Sequence, residues 1–304
     1  GKNNNENEFY PYRYLASEGF LPGYNFTKLP LRAQLQYKST KLEYLSRPKR
    51  LALSEFGPQN IIYNDGGKFR ISRMEILSEI IPHRFIYNPK TGVVYKDEEN
   101  ATRHIDIITG ESFNGALIPG MCIEAQDMIA IETEKITCQE EERSRKYYQT
   151  KTYFSSDDPR TISECELLTF HGQHLANIRY IPSCRLTYIL ESRNDNNGNG
   201  FAFDTKTGEW ISNERLSRIQ EKADNNPEEA ERMKFVKLFT ETTANAIYIQ
   251  PLTALLLKEQ EAVRTFLYAF KQAIEDVFQI EGSEMGAEIM GEGATPNILI
   301  YENA

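Results

Sequence analysis

The spacing of hydrophobic and polar positions divides the chain into a strand-rich part and a part with helical periodicity. Between residues 44 and 188, short apolar runs alternate with turn-forming groups. Within this part, Ile129 and Ile131 stand two apart, as in a half-buried strand. After residue 213 helix predominates, and over 259–280 apolar residues recur three and four apart, which is typical of a helix. The pattern predicts an α+β fold. Its N-terminal body is irregular and strand-rich, with hairpin knuckles, and its helical C-terminal part returns to a sheet strand.

The strand-rich part allows one hairpin and several strands to be placed. The β-type runs 60–63 and 68–71 flank Asn64-Asp65-Gly66-Gly67, and such a flanked turn predicts a hairpin. Further strands are predicted at Arg84–Tyr87, Gly92–Tyr95, Met128–Thr137, Lys146–Phe154, Leu167–Phe170, Asn177–Ile181 and Arg185–Leu190.

The C-terminal part predicts helices and a last strand. One or two helices are expected over Asn213–Phe239, with Pro227 able to begin the second. Glu259–Ile280 is the clearest helix, and a buried strand is expected at Ile298–Tyr301. The apolar stripe of that clearest helix comprises Val263, Phe266, Leu267, Phe270, Ile274, Val277 and Phe278. The predicted organisation is a disordered tail at 1–8, a strand-rich body at 9–190 and a mainly helical part at 191–304, in one continuous domain or two.

A short motif occurs three times in the chain. Residues 88–95, 106–113 and 204–210 share the form Asn/Asp-x-x-Thr-Gly, followed by an aromatic residue two or three positions later. An Asx residue begins a turn well, and glycine accepts the positive φ that returns the chain. The motif predicts three tight hairpin knuckles, although three unrelated turns built from favoured residues would look the same.

Composition and charge exclude several classes of protein. The chain has 304 residues, 35 basic against 44 acidic ones, and a net charge of −9. This balance excludes a wholly basic nucleic-acid binder but not a local basic patch. No apolar run reaches the ~18–20 residues that span a bilayer, and the N-terminus lacks the apolar core of a signal peptide. We therefore expect a cytoplasmic chain that does not contact membranes.

The common catalytic motifs are absent from the sequence. There is no GxxxxGK[ST], GxGxxG, GxSxG or HExxH pattern, so neither a self-contained ATPase nor a common hydrolase is indicated. We expect no catalytic residue and no cofactor. A hydrolase or nuclease built from scattered carboxylates with His171 and His174 is the remaining enzymatic alternative.

A metal site is weakly indicated. Cys122, Cys138, Cys165 and Cys184 form no CxxC pair, and reduced, mostly buried thiols are expected. His171-Gly-Gln-His174 with Cys165 and Cys184 has one metal-like spacing, but zinc sites usually have closer cysteines, so ordinary hydrogen-bonded histidines explain it better. The charge run at 140–146 is either an acidic cluster or, by default, a solvated turn. The prediction is no bound metal.

The basic residues of the N-terminal third are the candidate binding site. Arg47-Pro-Lys49-Arg50 is the densest basic cluster, and tyrosines are interleaved with the cations around it. Lysine and arginine neutralise phosphates, and aromatic rings stack on unpaired bases. The alternative is that the aromatic residues are core and the charges merely solvate the surface. The candidate nucleic-acid-binding residues are Arg13, Arg32, Arg47, Lys49 and Arg50.

Two stretches resemble a known family. Residues 9–26, FYPYRYLASEGFLPGYNF, resemble the segment that follows the motor core in large bacterial superfamily 2 DEAD/DEAH-type helicases. Arg47-Pro48 with residues 53–63, LSEFGPQNIIY, resembles a signature of their C-terminal domain of unknown function. Weaker matches are at 140–145, 148–154 and 297–302. This domain occurs in helicases of the mitomycin-repair type and of the DISARM and Druantia phage-defence types.

The resemblance implies a setting and one departure from the family. The motor core is missing, so the chain would be part of a longer bacterial protein or work beside a separate motor. Many relatives bind zinc through CxxC knuckles. Here the corresponding pairs are Asn88/Thr91, Asp106/Thr109 and Asp204/Thr207. Their oxygens are poor zinc ligands, so a degenerate zinc ribbon is expected. Aromatic packing at Tyr95, Phe113 and Trp210 would hold it without metal.

These observations lead to one functional hypothesis and one alternative. The hypothesis is a non-catalytic accessory domain of a bacterial DNA helicase in phage defence or DNA repair. It would bind DNA, dock the motor domain of the same or a separate chain, and contact other defence or repair subunits. The alternative is a protein-interaction scaffold without nucleic-acid contact, which the net charge of −9 favours.

Overall fold

The fold is built mainly from strands. The computed structural model describes residues 29–76, 80–97, 105–135, 148–169, 171–192, 200–221, 227–251, 260–292 and 296–303. In chain order, the strands are β1 (Leu31–Gln36), β2 (Leu42–Arg47), β3 (Ile61–Asn64), β4 (Gly67–Met74), β5 (Phe85–Tyr87), β6 (Val94–Lys96), β7 (Ala116–Leu117), β8 (Met121–Glu124), β9 (Met128–Lys135), β10 (Tyr148–Ser155), β11 (Ser163–Leu168), β12 (His174–Ser192), β13 (Phe201–Asp204), β14 (Met233–Pro251), β15 (Met285–Met290) and β16 (Asn297–Glu302). The helices are α1 (Lys49–Glu55), α2 (Asn213–Glu221), α3 (Pro227–Arg232) and α4 (Gln260–Phe278).

The strands of the described ranges form three sheets. The first has the order β2-β1-β9-β4-β3, and only the β1–β9 pair in it is parallel. The second contains eight strands around the long antiparallel pair β12 and β14. The third is the small sheet β6-β5-β7. One shared apolar cluster joins the first two sheets and includes Phe69 from β4, Leu186 from β12 and Leu238 from β14.

Helix α4 packs on the part of the second sheet formed by β15, β16 and the adjoining ends of β12 and β14. Val263 and Leu267 of the helix are buried against Ile249, Ile298 and other apolar residues of the sheet. Their spacing of four puts them on one helical face, as the sequence predicts. The predicted stripe is wrong at its C-terminal end, because Val277 is 73% and Phe278 is 68% exposed. The helix extends beyond the sheet residues that bury its other apolar side chains.

The strand-rich α+β class and several predicted elements are confirmed. The hairpin at residues 60–71 forms as β3 and β4, with Asn64 opposite Gly67. Asp65 and Gly66 both have positive φ, at 43° and 74°, as a tight hairpin turn requires. The two strands predicted at 177–181 and 185–190 are one strand, β12, interrupted by an irregularity at Ile181–Cys184.

The C-terminal part contains less helix than predicted. Residues 233–239, predicted to continue a helix, begin β14, a strand of 19 residues. Their apolar spacing fits a helix, but Val236–Thr240 are all buried because neighbouring elements cover both faces of this strand. A strand buried on both faces loses the two-residue alternation that would identify it. The apolar run Arg50–Leu53 lies in the part of the sequence with mostly strand-like patterns. In the structure it belongs to helix α1.

No helix in the described ranges is both long and apolar enough to cross a membrane.

Candidate nucleic-acid interface

One face of the first sheet is solvent-accessible and carries an unusual set of side chains. In β1, Leu31, Ala33 and Leu35 are buried, whereas the residues between them are partly exposed. The outward side, called the open face below, therefore begins at Arg32, and the other side of the sheet packs on the core. The open face consists of Arg32, Gln34, Gln36, Leu42, Tyr44, Ser46, Arg70, Arg73 and Ile131.

Strand pairing arranges these residues in rows across the sheet. Gln36 lies opposite Leu42 on one side and Ile131 on the other, and Ile131 lies opposite Arg70. In the next row, Gln34 lies opposite Tyr44 on one side and Ile129 on the other, and Arg73 occupies the β4 end. Ile129 is only 7% exposed, so this row is covered at β9. Neighbouring strands are ~4.8 Å apart, so β4 is ~10 Å from β1. Arg70 and Arg73 on β4 therefore lie beside the β9 residues, Leu42 and Tyr44 lie at the opposite edge on β2, and Arg32 lies on β1 one row further along.

Arg70 and Arg73 share this face because β4 contains a bulge. Residues three apart in a regular strand point to opposite faces. Here the register shifts between Ile71 and Arg73, so Ser72 is an extra residue in the ladder with β9. Its hydroxyl donates a hydrogen bond to the carbonyl of Ile129 at 3.1 Å. The bulge turns Arg73 outward and buries Met74, which is 1% exposed.

The cations of the open face are largely free to meet an anion. Arg70 and Arg73 are exposed, and among the described residues neither has an ion-pair partner. Glu209 lies opposite Arg73 in an isolated bridge, but its carboxylate is 2.9 Å from Nη1 of Arg215. The charge at this end of the face therefore remains positive.

Arg32 lies beside one carboxylate. Its backbone N–H donates to Oδ1 of Asp127 at 2.8 Å. Burial raises the pKa of Asp127, and the hydrogen bond and positive charge of Arg32 oppose that shift. No hydrogen bond or ion pair within the described ranges involves the guanidinium of Arg32. This side chain can therefore accept a second anion on the open face.

Apolar surface lies on the same face as these cations. Leu42, Tyr44 and Ile131 are 56%, 54% and 46% exposed, which leaves an apolar strip in water. The hydroxyl of Tyr44 accepts a hydrogen bond from Nε2 of Gln34 at 2.8 Å, which restrains the ring above the sheet. Cations around exposed apolar and aromatic groups suit a ligand that combines anionic groups with flat apolar ones. An unpaired nucleic-acid strand has this combination.

The densest basic cluster of the sequence lies elsewhere and has partners within the chain. Nε of Arg47 is 2.8 Å from Oε2 of Glu55, and Nζ of Lys49 donates to the carbonyl of Glu241 at 3.4 Å. Nη2 of Arg50 is 2.5 Å from Oε1 of Glu288. The guanidinium of Arg50 also lies over the rings of Tyr188 and Tyr301, at 5.7 and 5.9 Å. Of the four predicted residues that the structure describes, only Arg32 lies on the open face.

Three parts of the sequence hypothesis fall outside the described residues. These are Arg13, the whole stretch 9–26 that carries the family resemblance, and the charge run at 140–146.

The three Thr-Gly motifs form three equivalent turns. In each turn the glycine N–H donates to the carbonyl of the first residue, from Gly92 to Asn88, Gly110 to Asp106 and Gly208 to Asp204. The three glycines have φ values of 81°, 72° and 75°. In each turn the first side chain also accepts a hydrogen bond from the N–H two residues later. The repeat is therefore a real structural repeat.

Side chains at the CxxC-like positions join the first two turns. Oδ2 of Asp106 accepts hydrogen bonds from Nδ2 of Asn88 at 2.6 Å and from Oγ1 of Thr91 at 2.9 Å. Tyr95 and Phe113 also meet edge to face, with ring centroids 4.9 Å apart. Polar and aromatic contacts thus hold the turns together. The sequence predicts only the aromatic part of this arrangement.

No metal centre is found within the described ranges. They contain no group of three histidine, cysteine or carboxylate side chains that could hold an ion. Nε2 of His174 lies 3.9 Å from Glu166, and Cys165 is exposed. Cys122 and Cys184 are buried, and burial raises the pKa of the Cys122 thiol to about 12.

A polar cleft runs beside the second sheet, but its charges are paired. Lys96 is 3.0 Å from Glu241, and Arg185 is 2.5 Å from Asp157. Lys49 is the remaining cation of its wall, and Glu124 and Asp158 add further negative charge. The cleft is therefore a poorer anion site than the open face.

Arg70 and Arg73 belong to the basic residues of the N-terminal third, but the sequence does not place them among the candidate contacts. The alternation in GKFRISRM places Arg70 on the face opposite Phe69 and Ile71, and this signal was available. The same alternation places Arg73 on the inner face. Only the bulge at Ser72, which becomes visible when β4 is paired with β9, corrects this.

Comparisons with known proteins give little further information. No protein-family model matches the sequence, and no curated protein is significantly similar to it. A solved structure described as the crystal structure of DUF1998 helicase MrfA bound to DNA shows a TM-score of 0.35 and 7% sequence identity over 91% of this chain. The match covers 26% of that protein, so this chain spans about a quarter of it. A likeness at this level assigns no function.

Proposed function

We propose that this chain is a non-catalytic, nucleic-acid-binding accessory module that holds an unpaired DNA strand on the open face. The observation that carries the proposal is that Arg32, Arg70 and Arg73 share one face of the first sheet with the exposed Tyr44 and Ile131. Arginines neutralise phosphates, and an exposed aromatic ring offers a stacking surface for a base.

A single strand fits this surface better than a duplex does. A duplex presents phosphates to a flat surface and keeps its bases stacked inside. Its charged backbone would then lie against Leu42 and Ile131, which are about half exposed and apolar. An unpaired strand can place its bases on the apolar strip and its phosphates at the arginines. Sheet surfaces that bind single strands through exposed aromatic side chains use this arrangement.

The helicase setting of the proposal comes from the sequence. The stretches 9–26 and 53–63 resemble the C-terminal domain of large bacterial superfamily 2 helicases. In that setting, the module would hold the DNA strand that leaves a motor located in the same or a separate chain. The phage-defence or DNA-repair role, the bacterial cytoplasmic location and further subunit partners belong to the same proposal.

Photo-cross-linking tests where the strand lies. A thymidine oligonucleotide that carries 5-bromodeoxyuridine is irradiated with the chain, and the cross-linked peptides are identified by mass spectrometry. The proposal predicts cross-links in the peptides that contain Tyr44 and Ile131. Because Tyr44, Arg47 and Lys49 share one tryptic peptide, fragment ions assign each cross-link to a residue. Cross-links confined to residues 47–50 would instead place the strand at the densest basic cluster of the sequence. Cross-links without preference for either surface would contradict a specific site.

A protein-interaction scaffold is the second candidate function, and one observation favours it. Tyr268, Val277 and Phe278 of α4 are 69%, 73% and 68% exposed, so three large apolar side chains of one helix face solvent. Exposed apolar groups of this kind often mark protein contacts. Substitution of these residues should then weaken motor binding and leave oligonucleotide binding unchanged, as a pull-down with the purified motor would measure.

A further inference from the structure

The third Thr-Gly turn, residues 204–210, completes the edge of β4 where β3 ends. The last hydrogen bonds on the β3 side join Ile71 to Asn60 and Gln59. Beyond this point, the N–H of Trp210 donates to the carbonyl of Ser72, and the N–H of Met74 donates to the carbonyl of Gly208, both at 2.9 Å. Arg73, between them, lies opposite Glu209.

These contacts flank the bulge that turns Arg73 outward. Ser72 is the extra residue of that bulge, and its carbonyl is one of the two β4 groups that the turn engages. A bulge leaves some backbone N–H and C=O groups without a partner in the ladder. Its conformation therefore depends on the hydrogen bonds that backbone groups of the bulged strand form with other segments. The third turn supplies those bonds on both sides of Arg73.

On the basis of the proposed function, we propose that the third turn is a positioning element for the nucleic-acid site, with Gly208 as its key residue. Gly208 has a φ of 75°, and a Cβ at this position would overlap the carbonyl oxygen of Met74. The turn can therefore reach β4 only with glycine at 208. By holding the bulge, it keeps Arg73 beside Arg70 on the open face.

The chain offers a matched control for this proposal. Gly110 occupies the same position in the second turn, with a φ of 72°, and nothing lies within 4 Å of a Cβ placed there. Asparagine tolerates positive φ better than most residues do. Gly208→Asn and Gly110→Asn thus carry similar backbone strain, but only Gly208→Asn pushes a turn away from β4.

Oligonucleotide affinity is measured as a function of salt for both variants, for Arg73→Gln and for the double variant Gly208→Asn/Arg73→Gln. Loss of one phosphate contact on a single strand should lower the salt slope by about 0.7 and weaken binding about five-fold at 0.1 M salt. We expect this loss for Gly208→Asn and for Arg73→Gln, no loss for Gly110→Asn, and no further loss in the double variant.

Three results would overturn the proposal. One is wild-type affinity in a folded Gly208→Asn chain. Another is an equal loss in Gly110→Asn. The third is a double variant whose losses add, because the turn would then act somewhere other than at Arg73. Failure of the wild-type chain to bind would refute the proposed function itself and is recognised before any variant is made.

A second measurement needs no variant and covers the case in which Gly208→Asn does not fold. If docking of the turn and binding at Arg73 are coupled, the ligand must stabilise the docked turn. Hydrogen exchange at the N–H groups of Met74 and Trp210 should therefore slow several-fold when a thymidine oligonucleotide saturates the chain, whereas exchange at Gly110 should not change. Unchanged exchange at Met74 and Trp210 would contradict the positioning role.

Discussion

The Asp106 carboxylate and the Asn88 side-chain amide, 18 residues apart, meet at 2.6 Å and join two equivalent turns. Oδ2 of Asp106 also accepts from Thr91, and Oδ1 accepts from the N–H groups of Ile108 and Thr109. Asp106 is 1% exposed, and these four donors satisfy its buried carboxylate. The sequence resemblance leads to the expectation of a degenerate zinc ribbon whose turns hold together without a metal. Hydrogen bonds join them here.

Replacement of Asp106 by alanine should strongly destabilise the protein. The change leaves four donors without their acceptor in a buried place, and hydrogen bonds to a charged group contribute most. We expect a loss of about 3 kcal/mol in the free energy of unfolding, measured by urea denaturation. Asp65→Ala, in an exposed hairpin turn, serves as the control and should cost far less. A cost below about 0.5 kcal/mol for Asp106→Ala would show that the turns do not depend on this carboxylate.

Removal of metal ions should leave the protein unchanged. The turn positions carry asparagine, threonine and aspartate oxygens, which are poor zinc ligands, and the described residues contain no cluster of three metal-binding side chains. The melting temperature should be the same with and without EDTA. A drop of several degrees, restored by zinc, would reveal a structural metal and refute the expectation of a metal-free ribbon.

Alkaline pH should unfold the protein through its buried tyrosines. Burial raises the pKa of Tyr95 and of Tyr301 to about 12, and it also raises the pKa of Tyr188 and Tyr248. A folded-state pKa above the unfolded value of 10.0 stabilises the protein below pH 10. That stability is lost as the pH rises from 10 towards 12. Tyrosinate absorbance and circular dichroism should therefore change together in this interval. Tyrosinate formation well before loss of structure would contradict the buried positions.

Tyr44 should contribute to nucleic-acid binding as a stacking surface. Alanine at a stacking position costs ~1–3 kcal/mol per base, so Tyr44→Ala should weaken single-strand binding by about ten-fold or more. Tyr268→Ala provides a matched control, because Tyr268 is 69% and Tyr44 54% exposed and they lie on different elements. Fluorescence anisotropy measures both. Equal affinities for the two variants would remove Tyr44 from the site.

The sequence predicts local features of this fold better than its long-range pairing. The turn at Asp65-Gly66 and the three Thr-Gly turns are specified by a few neighbouring residues, and each forms as predicted. The start of β14 was predicted as helix because burial on both faces removes the alternation that identifies a strand.

The candidate site shows the same limit. Basic density along the sequence points to Arg47, Lys49 and Arg50, but the fold gives these residues partners in distant segments, such as Glu288 for Arg50. Conversely, Arg73 reaches the open face only through a bulge that depends on pairing with β9 and on the third turn. Whether a cation is paired or free depends on the tertiary structure, and composition does not reveal it.

The proposed function requires that the three arginines of the open face bind an unpaired strand. The most direct test is an anisotropy titration of labelled single-stranded and duplex DNA over a salt series. It compares the wild-type chain with Arg32→Gln/Arg70→Gln/Arg73→Gln and with the control Arg160→Gln/Arg218→Gln/Arg264→Gln, which has the same net charge. Circular dichroism confirms that all three chains are folded.

The wild-type chain should bind single-stranded DNA more tightly than duplex DNA. The slope of log affinity against log salt should be about −2, as three phosphate contacts require. The open-face variant should bind about 100-fold more weakly at 0.1 M salt, and the control should bind like the wild-type chain. If the wild-type chain does not bind at low salt, or if both variants bind equally weakly, the arginines of the open face do not form the binding site.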